Sequence, residues 1–427
     1  MKRRTGSAER IRRVELVVVG TEMLALGARD TNSDFLKPDL LELGYEPGLI
    51  SIVPDEQERI VEVVRAALRR ASLVVVGGGL GPTGDDRTRQ ALARVFGAGL
   101  RRDPRAWERV ARWYRARGRF PGSGARLQAL VPIGAESLDN PIGSASGIWW
   151  ARGDRRVVAL PGVPSELKAM WKEAVRPRLE AGGGSVPVAS FSLGGLPEAD
   201  VDARLAELYR RPDVEMTILA KTEHIEVHLR GKRASPAARR AVDRAAALVR
   251  RRLGRRIFAE GERTLEQAIG ERLRERGETL AVAESCTGGL VGARITTVPG
   301  SSDYFVGGVT AYSNAVKRKV LGVPETILRR QGAVSAPCAR ALANEVCRRL
   351  GSDWGLSVTG VAGPGGGAPG KPVGTVFIGL ARRGRRVSAR ALRLVGDRDS
   401  VRRRAAAAAL LWLHRALGAG PGARRRK

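Results

Sequence analysis

Hydrophobic residues follow two rhythms along this chain. Short, mainly apolar runs, such as VELVVVG (14–20), LVVV (73–76) and LAVAE (280–284), have the length and composition of strands covered on both faces. Between them apolar residues recur three and four apart, the mark of helices that lay one stripe on a sheet. Over 12–178 this predicts strand 14–20, helix 30–43, strand 48–53, helix 56–71, strand 73–76, helices 85–96 and 104–117, strand 156–160 and helix 164–175. The alternation is that of a mainly parallel, three-layer α/β sheet. AGGGSVPV (181–188) reads as a linker. A small α/β module is predicted over 187–260, with strands 189–193, 214–220 and 223–230 and helices 197–210 and 235–253. A third α/β domain over 263–418 starts with helix 264–276, strand 279–284, helix 286–296, strand 305–311 and helix 335–350. Strands 354–359, 373–381 and 386–394 and an Ala-rich helix 398–417 complete it.

The stretch LAVAESCTGG (280–289) puts Ser285 at the corner between a strand and a helix. Small residues there let a substrate approach the backbone. The first N–H groups of a helix favour negative charge, whether a phosphate or a developing oxyanion. A serine at that corner is either a nucleophile or an N-cap. Histidine is poorly placed to activate it: His224 and His228 lie upstream in the strand-like HIEVHL, and His414 reads as a helix-face residue. Lysine can be the base when burial or nearby cations lower its pKa. Lys317 stands in GGVTAYSNAVKRKVLG (307–322) with Tyr312, Ser313 and Asn314, where a strand end meets a first helical turn. Arginine is the default cation of this chain and cannot deprotonate, so a lysine at that place is informative. Cys286 competes with Ser285 as nucleophile, although a lone Cys among Ala and Val reads more readily as a small buried apolar residue.

A second Gly-rich loop, GGGLGPTGDDRT (77–88), follows strand 73–76. Gly79, Gly81 and Gly84 match G-x-G-x-x-G formally, but Pro82 interrupts the loop, and Asp85 and Asp86 would repel a pyrophosphate bound without metal. No Gly-Lys-Ser/Thr closes it as in a Walker loop. It better suits a phosphate held together with a divalent cation and its waters. The alternative is a tight turn with Asp85 or Asp86 capping the next helix.

AESCTGG, GGVTAYSNAVK, GAVS (332–335), VTGVAGPGGG (358–367) and KPVGTVFIGLA (371–381) closely resemble the C-terminal domain of the CinA family (competence/damage-inducible protein A), a nicotinamide mononucleotide amidohydrolase. The resemblance implies a Ser-Lys deamidase needing no cofactor. Ser285 attacks the carboxamide, Lys317 takes its proton, and Tyr312 relays a proton or orients the group. The N–H groups around Cys286, Thr287, Gly288 and Gly289 hold the oxyanion. Thr359, Gly360 and Gly363 belong to a loop that offers donors to the ribose phosphate, and Asn314 and Arg398 are further substrate contacts. Nicotinate mononucleotide and ammonia leave, a step of pyridine nucleotide salvage.

GTEMLALGARDTNS (20–33), GGLGPTGDDRT (78–88), NPIGSASG (140–147) and LPGVPSEL (160–167) resemble the N-terminal domain of the same family. That domain has the molybdopterin-binding fold and is associated with metal-dependent ADP-ribose pyrophosphatase activity. The resemblance implies phosphate contacts from Gly78, Gly79, Gly81 and Thr83. It also implies a divalent metal (Mg or Co, with or without K) handled by Asp86, Asp85 and Glu166. The chain departs from the family pattern at Gly77 and Ser144, where Thr is usual, and at Ala125, where Asn is usual. The family suggests a homodimer. The rival reading is a non-catalytic pterin- or nucleotide-binding regulator.

Composition bounds these readings. With 427 residues and 43% hydrophobic content, the chain suffices for two or three ordinary globular domains. No apolar run is long enough to span a bilayer, and MKRRTGSAERIRRVE lacks the apolar core of a signal peptide. Met1–Arg13 is expected to be a disordered arm and GARRRK (422–427) a frayed tail. Three cysteines, Cys286, Cys338 and Cys347, show no metal spacing and fit a reducing cytoplasm. The net charge of +31 steers polyanions, and both implied substrates, nicotinamide mononucleotide and ADP-ribose, are phosphorylated. Nucleic acid is not expected as the main partner: the arginines are spread through every segment, and aromatics at 4% leave little for base stacking.

Overall fold

The computed structural model describes residues 12–24, 28–181 and 185–418. Of the expected N-terminal arm only Arg12 and Arg13 are described, and they open the first strand instead. The rest of that arm, the tail at 422–427 and part of the linker at 181–188 lie outside the described residues. The chain forms two compact units: residues up to Pro187 with Gly231–Arg239, and Val188–Arg230 with Arg240 onward. No helix among the described residues is long and apolar enough to cross a membrane.

The first unit is built on a six-stranded sheet, in the order Tyr45–Val53, Arg12–Val19, Leu73–Gly77, Arg155–Leu160, Gly147–Arg152, Glu136–Leu138. The first four strands are parallel and the last two antiparallel. Alternate side chains enter opposite cores. Val74 and Val76 pack with Ile60, Val64 and Leu92 on one face, while Leu73 and Val75 pack with Leu36, Leu40 and Trp171 on the other. This is the expected three-layer arrangement. The sequence pattern misses the short strands Leu100–Arg102, Leu130–Pro132, Glu136–Leu138 and Gly147–Arg152, three of them too short to display a period. The helix expected at 85–96 starts only at Thr88, so neither Asp85 nor Asp86 caps it.

The second unit holds two sheets. One runs Val214–Ala220, Ile225–Gly231, Val188–Leu193, Ile257–Glu260. The other runs Phe305–Thr310, Leu280–Glu284, Trp354–Gly360, Thr375–Arg382, Ser388–Arg393. In the latter, Leu280–Glu284 is parallel to both neighbours, and the outer pairs beyond Trp354–Gly360 are antiparallel. The chain leaves Leu280–Glu284 for the strand on one side, then crosses to the strand on the other. Such a switch point opens a crevice at the carboxyl ends of the strands. Leu280 and Val282 face the helices Leu265–Arg276 and Arg398–Gly418, whereas Ala281 and Ala283 face the helix Ala336–Arg349. His414 lies inside the first of these cores, 3% exposed and edge-on to Phe258. Burial pushes its imidazole down to about 4, so it is a core residue and no base.

The helix Ala336–Arg349 packs on the sheet over two glycines. A Cβ at Gly355 would lie 2.1 Å from the Ala343 carbonyl oxygen, and one at Gly379 2.2 Å from that of Ala339. Gly355→Ala is therefore expected to lower stability by about 1–3 kcal/mol through overpacking. This would be read as a lower urea midpoint at unchanged m; an unmoved midpoint would show that the helix does not depend on this approach.

Candidate active site

Ser285 follows the last residue of its strand and is 8% exposed. Its amide still donates to the Val358 carbonyl at 2.9 Å, extending the ladder by one residue. The chain then turns through Gly288 (φ +63°) and Gly289 (φ +97°), left-handed conformations that glycine adopts without strain. The helix expected from 286 begins only at Leu290, with Gly289 as its N-cap. Ser285 is therefore not a capping serine. The buried Glu284 carboxylate takes the amides of Gly289, Val291 and Gly292 at 3.0, 3.0 and 2.8 Å. From the other side the Arg402 guanidinium donates to the Thr287 carbonyl at 2.9 Å. The expected row of oxyanion donors from Cys286 to Gly289 is thus reduced. Gly289 is engaged by Glu284 and the Gly288 amide donates to the Ser285 carbonyl at 3.1 Å, which leaves Cys286 and Thr287. The Thr287 hydroxyl is buried without a hydrogen-bond partner.

Lys317 comes from the short helix Asn314–Lys319, whose N-cap Ser313 accepts from the Val316 amide at 3.2 Å. Its side chain is 1% exposed. Nζ lies 3.1 Å from Ser285 Oγ, 2.8 Å from the Ala311 carbonyl oxygen and 3.0 Å from that of Tyr312. Burial pushes the amine below its ordinary 10.5, against a smaller opposing pull from the thiols of Cys338 and Cys286. Cys286 is also buried, and burial raises its thiol to about 11. It stays a thiol at neutral pH, so Ser285 with its amine is the better nucleophile.

The Tyr312 ring is exposed, and its hydroxyl accepts from Arg398 at 2.9 Å rather than meeting Ser285 or Lys317. Its direct service to Lys317 is through its main-chain carbonyl. A second nitrogen of Arg398 donates to the Gly363 carbonyl at 2.6 Å, tying the Gly-rich loop to Tyr312. Gly363 has φ +84°. Gly360 lies against the neighbouring strand, where a Cβ would come 2.8 Å from the Thr375 carbonyl oxygen. Thr359 is fully buried and donates to the Ala333 carbonyl at 2.8 Å, so its hydroxyl braces the 332–335 loop instead of facing a ligand. Asn314 is exposed on the first helical turn. Glu284 and Arg402 went unread in the sequence. The one available signal was a carboxylate closing an otherwise apolar strand, a position that charged residues rarely hold.

In the first unit Gly78 (φ +106°) and Gly79 (φ +67°) fold the loop against Val19 and Thr88, whose carbonyl oxygen and hydroxyl oxygen would lie 2.1 and 2.3 Å from added Cβ atoms. Asp86 closes the loop on itself. Its carboxylate accepts from the Gly81 amide at 2.6 Å and from the Thr83 amide and hydroxyl at 2.8 and 2.6 Å. Beneath it Arg89, 2% exposed and unread in the sequence, donates to the carbonyls of Leu80 and Gly81. Burial brings its guanidinium down to about 10. Glu166 accepts from Asn140 at 2.6 Å, and Asp85 is exposed. Among the described residues no three His, Cys, Asp or Glu side chains are grouped to hold a metal. Without a third ligand grouped with them, Asp86 and Glu166 do not make up a donor set that fits a resident divalent ion.

Comparison with known proteins agrees with this layout. Residues 15–181 match the probable molybdopterin binding domain, 190–259 the damage-inducible protein CinA KH domain, and 262–417 the CinA C-terminal domain. A CinA-like protein of Salinibacter ruber is 40% identical over 410 residues, covering 95% of this chain and 99% of that protein. A CinA-like protein of a Synechococcus species is 42% identical, covering 86% of this chain and 88% of its own length. A crystal structure of the protein CinA from Thermoplasma acidophilum, of unknown function, is 32% identical with a TM-score of 0.37, covering 40% of this chain and 98% of that one. With three domain matches in order and relatives aligned from end to end, the chain belongs to the CinA family.

Proposed function

We propose that the second unit hydrolyses the carboxamide of nicotinamide mononucleotide to the carboxylate, with release of ammonia. The observation that carries this reading is the buried Lys317 amine 3.1 Å from Ser285 Oγ, with thiols but no carboxylate acting on its charge. As a neutral amine, Lys317 keeps two N–H donors for the carbonyls of Ala311 and Tyr312, and its lone pair is left for the Ser285 hydroxyl proton. Ser285 Oγ attacks the carboxamide carbon while that proton passes to Nζ. The oxyanion is met by the amides of Cys286 and Thr287. Lys317 returns the proton to the departing nitrogen, the C–N bond breaks, and ammonia leaves an ester on Ser285. Water, activated by the same amine, hydrolyses the ester. Arg398 and Arg402 make the surroundings cationic, which suits a phosphorylated substrate.

For the first unit, the phosphate contacts expected from Gly81 and Thr83 are not carried forward, because the Asp86 carboxylate already occupies their amides and Arg89 the carbonyls of Leu80 and Gly81. No metal-dependent step is assigned to it, since its carboxylates already serve the loop and Asn140.

The decisive experiment is ammonia release from nicotinamide mononucleotide without added metal. Wild type is expected to release it, and Ser285→Ala to lose at least about 10³-fold in kcat. Equal release by both would remove Ser285 from the chemistry, and none from a folded wild type would end the deamidase reading.

Lys317→Arg retains N–H donors but has no lone pair with which to accept a proton. Turnover is expected to fall about 10²–10⁴-fold, with calorimetric binding of nicotinamide mononucleotide retained; full activity would sink the assignment of the base.

The pH profile follows from the same burial. The base must be neutral, so kcat/KM should rise as pH climbs through the Lys317 pKa, and burial sets that limb below 10.5. A limb at the ordinary lysine value would mean that the amine is not desolvated during the reaction.

A further inference from the structure

Glu284 ends an otherwise apolar strand and is 2% exposed, with no ion pair to a cation among the described residues. A bare carboxylate in such a place is strongly disfavoured. This one is carried by main-chain amides: Gly289 and Val291 on Oε2, and Gly292 on Oε1. The neighbouring amides are also committed. That of Leu290 donates to the Thr287 carbonyl at 3.4 Å, that of Gly288 to Ser285 and that of Ser285 to Val358. Between 285 and 292, only the amides of Cys286 and Thr287 find no carbonyl or carboxylate among the described residues.

We infer that Glu284 is the positioning residue of the Ser285 turn, fixing by occupation which amides can meet an oxyanion. The inference rests on the amide-hydrolase reading of the site. A fixed carboxylate occupies the amides of Gly289, Val291 and Gly292. What remains is a pair of adjacent N–H groups, sized for the single oxygen of a tetrahedral intermediate.

The test uses Glu284→Gln and Glu284→Asp in the full chain. Glutamine presents an NH2 group where an amide needs an acceptor, so the turn loses part of its hold. Aspartate keeps the charge on a shorter arm. Three readouts are taken: hydrogen exchange of amides 286–292, kcat and KM for ammonia release, and calorimetric affinity for nicotinamide mononucleotide in a Ser285→Ala background. In wild type, Gly289, Val291 and Gly292 should exchange slowly and Cys286 and Thr287 fast. In Glu284→Gln the slow amides should become fast, with kcat lowered about 10- to 100-fold and affinity held within about twofold. Aspartate should fall between. Wild-type kcat in Glu284→Gln would overturn the inference, as would a loss of affinity equal to the loss of kcat, which marks a merely structural part. If glutamine prevents folding, the aspartate variant decides by the same comparison. Failure of wild type to release ammonia would end the deamidase reading instead. The exchange pattern would then still judge Glu284: slow amides made fast by substitution uphold its hold on the turn, and unchanged exchange overturns it.

Discussion

Keeping an amine out of water without giving it an acid is the constraint on which the second unit depends. A carboxylate beside Lys317 would hold its proton in place, whereas main-chain oxygens satisfy the amine without fixing its charge. The oxygens come from Ala311 and Tyr312, residues just past a strand end, where the ladder no longer uses them. Parallel pairing then does the rest. Glu284 stands opposite Thr310, so the residues that follow, Ser285 and Ala311, emerge side by side. A slip of one residue in that register would turn the neighbouring side chains to the other face of the sheet and separate the hydroxyl from the amine.

Both Gly-rich loops of this chain are shaped by the same pair of devices. In the second unit Glu284 gathers amides and Arg402 holds a carbonyl. In the first, Asp86 gathers the Gly81 and Thr83 amides while Arg89 holds the carbonyls of Leu80 and Gly81. A loop rich in glycine has little side-chain packing to define it, and the conformational entropy it loses on ordering is large. Charged groups that bind main-chain donors and acceptors replace the missing contacts. The difference lies in what each arrangement leaves over: a serine with a buried amine beside it in one case, and a closed turn over a buried cation in the other.

The strand, the turn and the serine at its corner at 280–289 were legible because an apolar run of strand length ends in small residues, and Lys317 stood out as a lysine where arginine is the habit. The helix start at Leu290 was not, since two left-handed glycines lie among the four residues, 286–289, that composition alone assigns to the helix. Asp86 was legible as an important acid but not as a loop clasp, because its partners Gly81 and Thr83 precede it, whereas a capping residue binds amides that follow it. Arg402 lies 115 residues from the carbonyl it holds, and one arginine among many carries no local mark of such a partner. Sequence periodicity speaks of which face a residue shows, and contacts between distant loops leave no trace in it.

Those guanidiniums on carbonyl oxygens recur well beyond the two loops. Arg272 holds the His414 carbonyl, Arg274 those of Pro299 and Gly300, Arg256 that of Gly195 and Arg415 that of Gly194. A carbonyl has no proton to gain in the range where carboxylates titrate, and it is a dipole instead of an ion. Such clasps persist in acid and at ionic strengths that dissolve exposed salt bridges. Part of an arginine excess that looks, from composition, like charge awaiting a polyanion is therefore an internal fastening, already spoken for by the chain's own leftover oxygens.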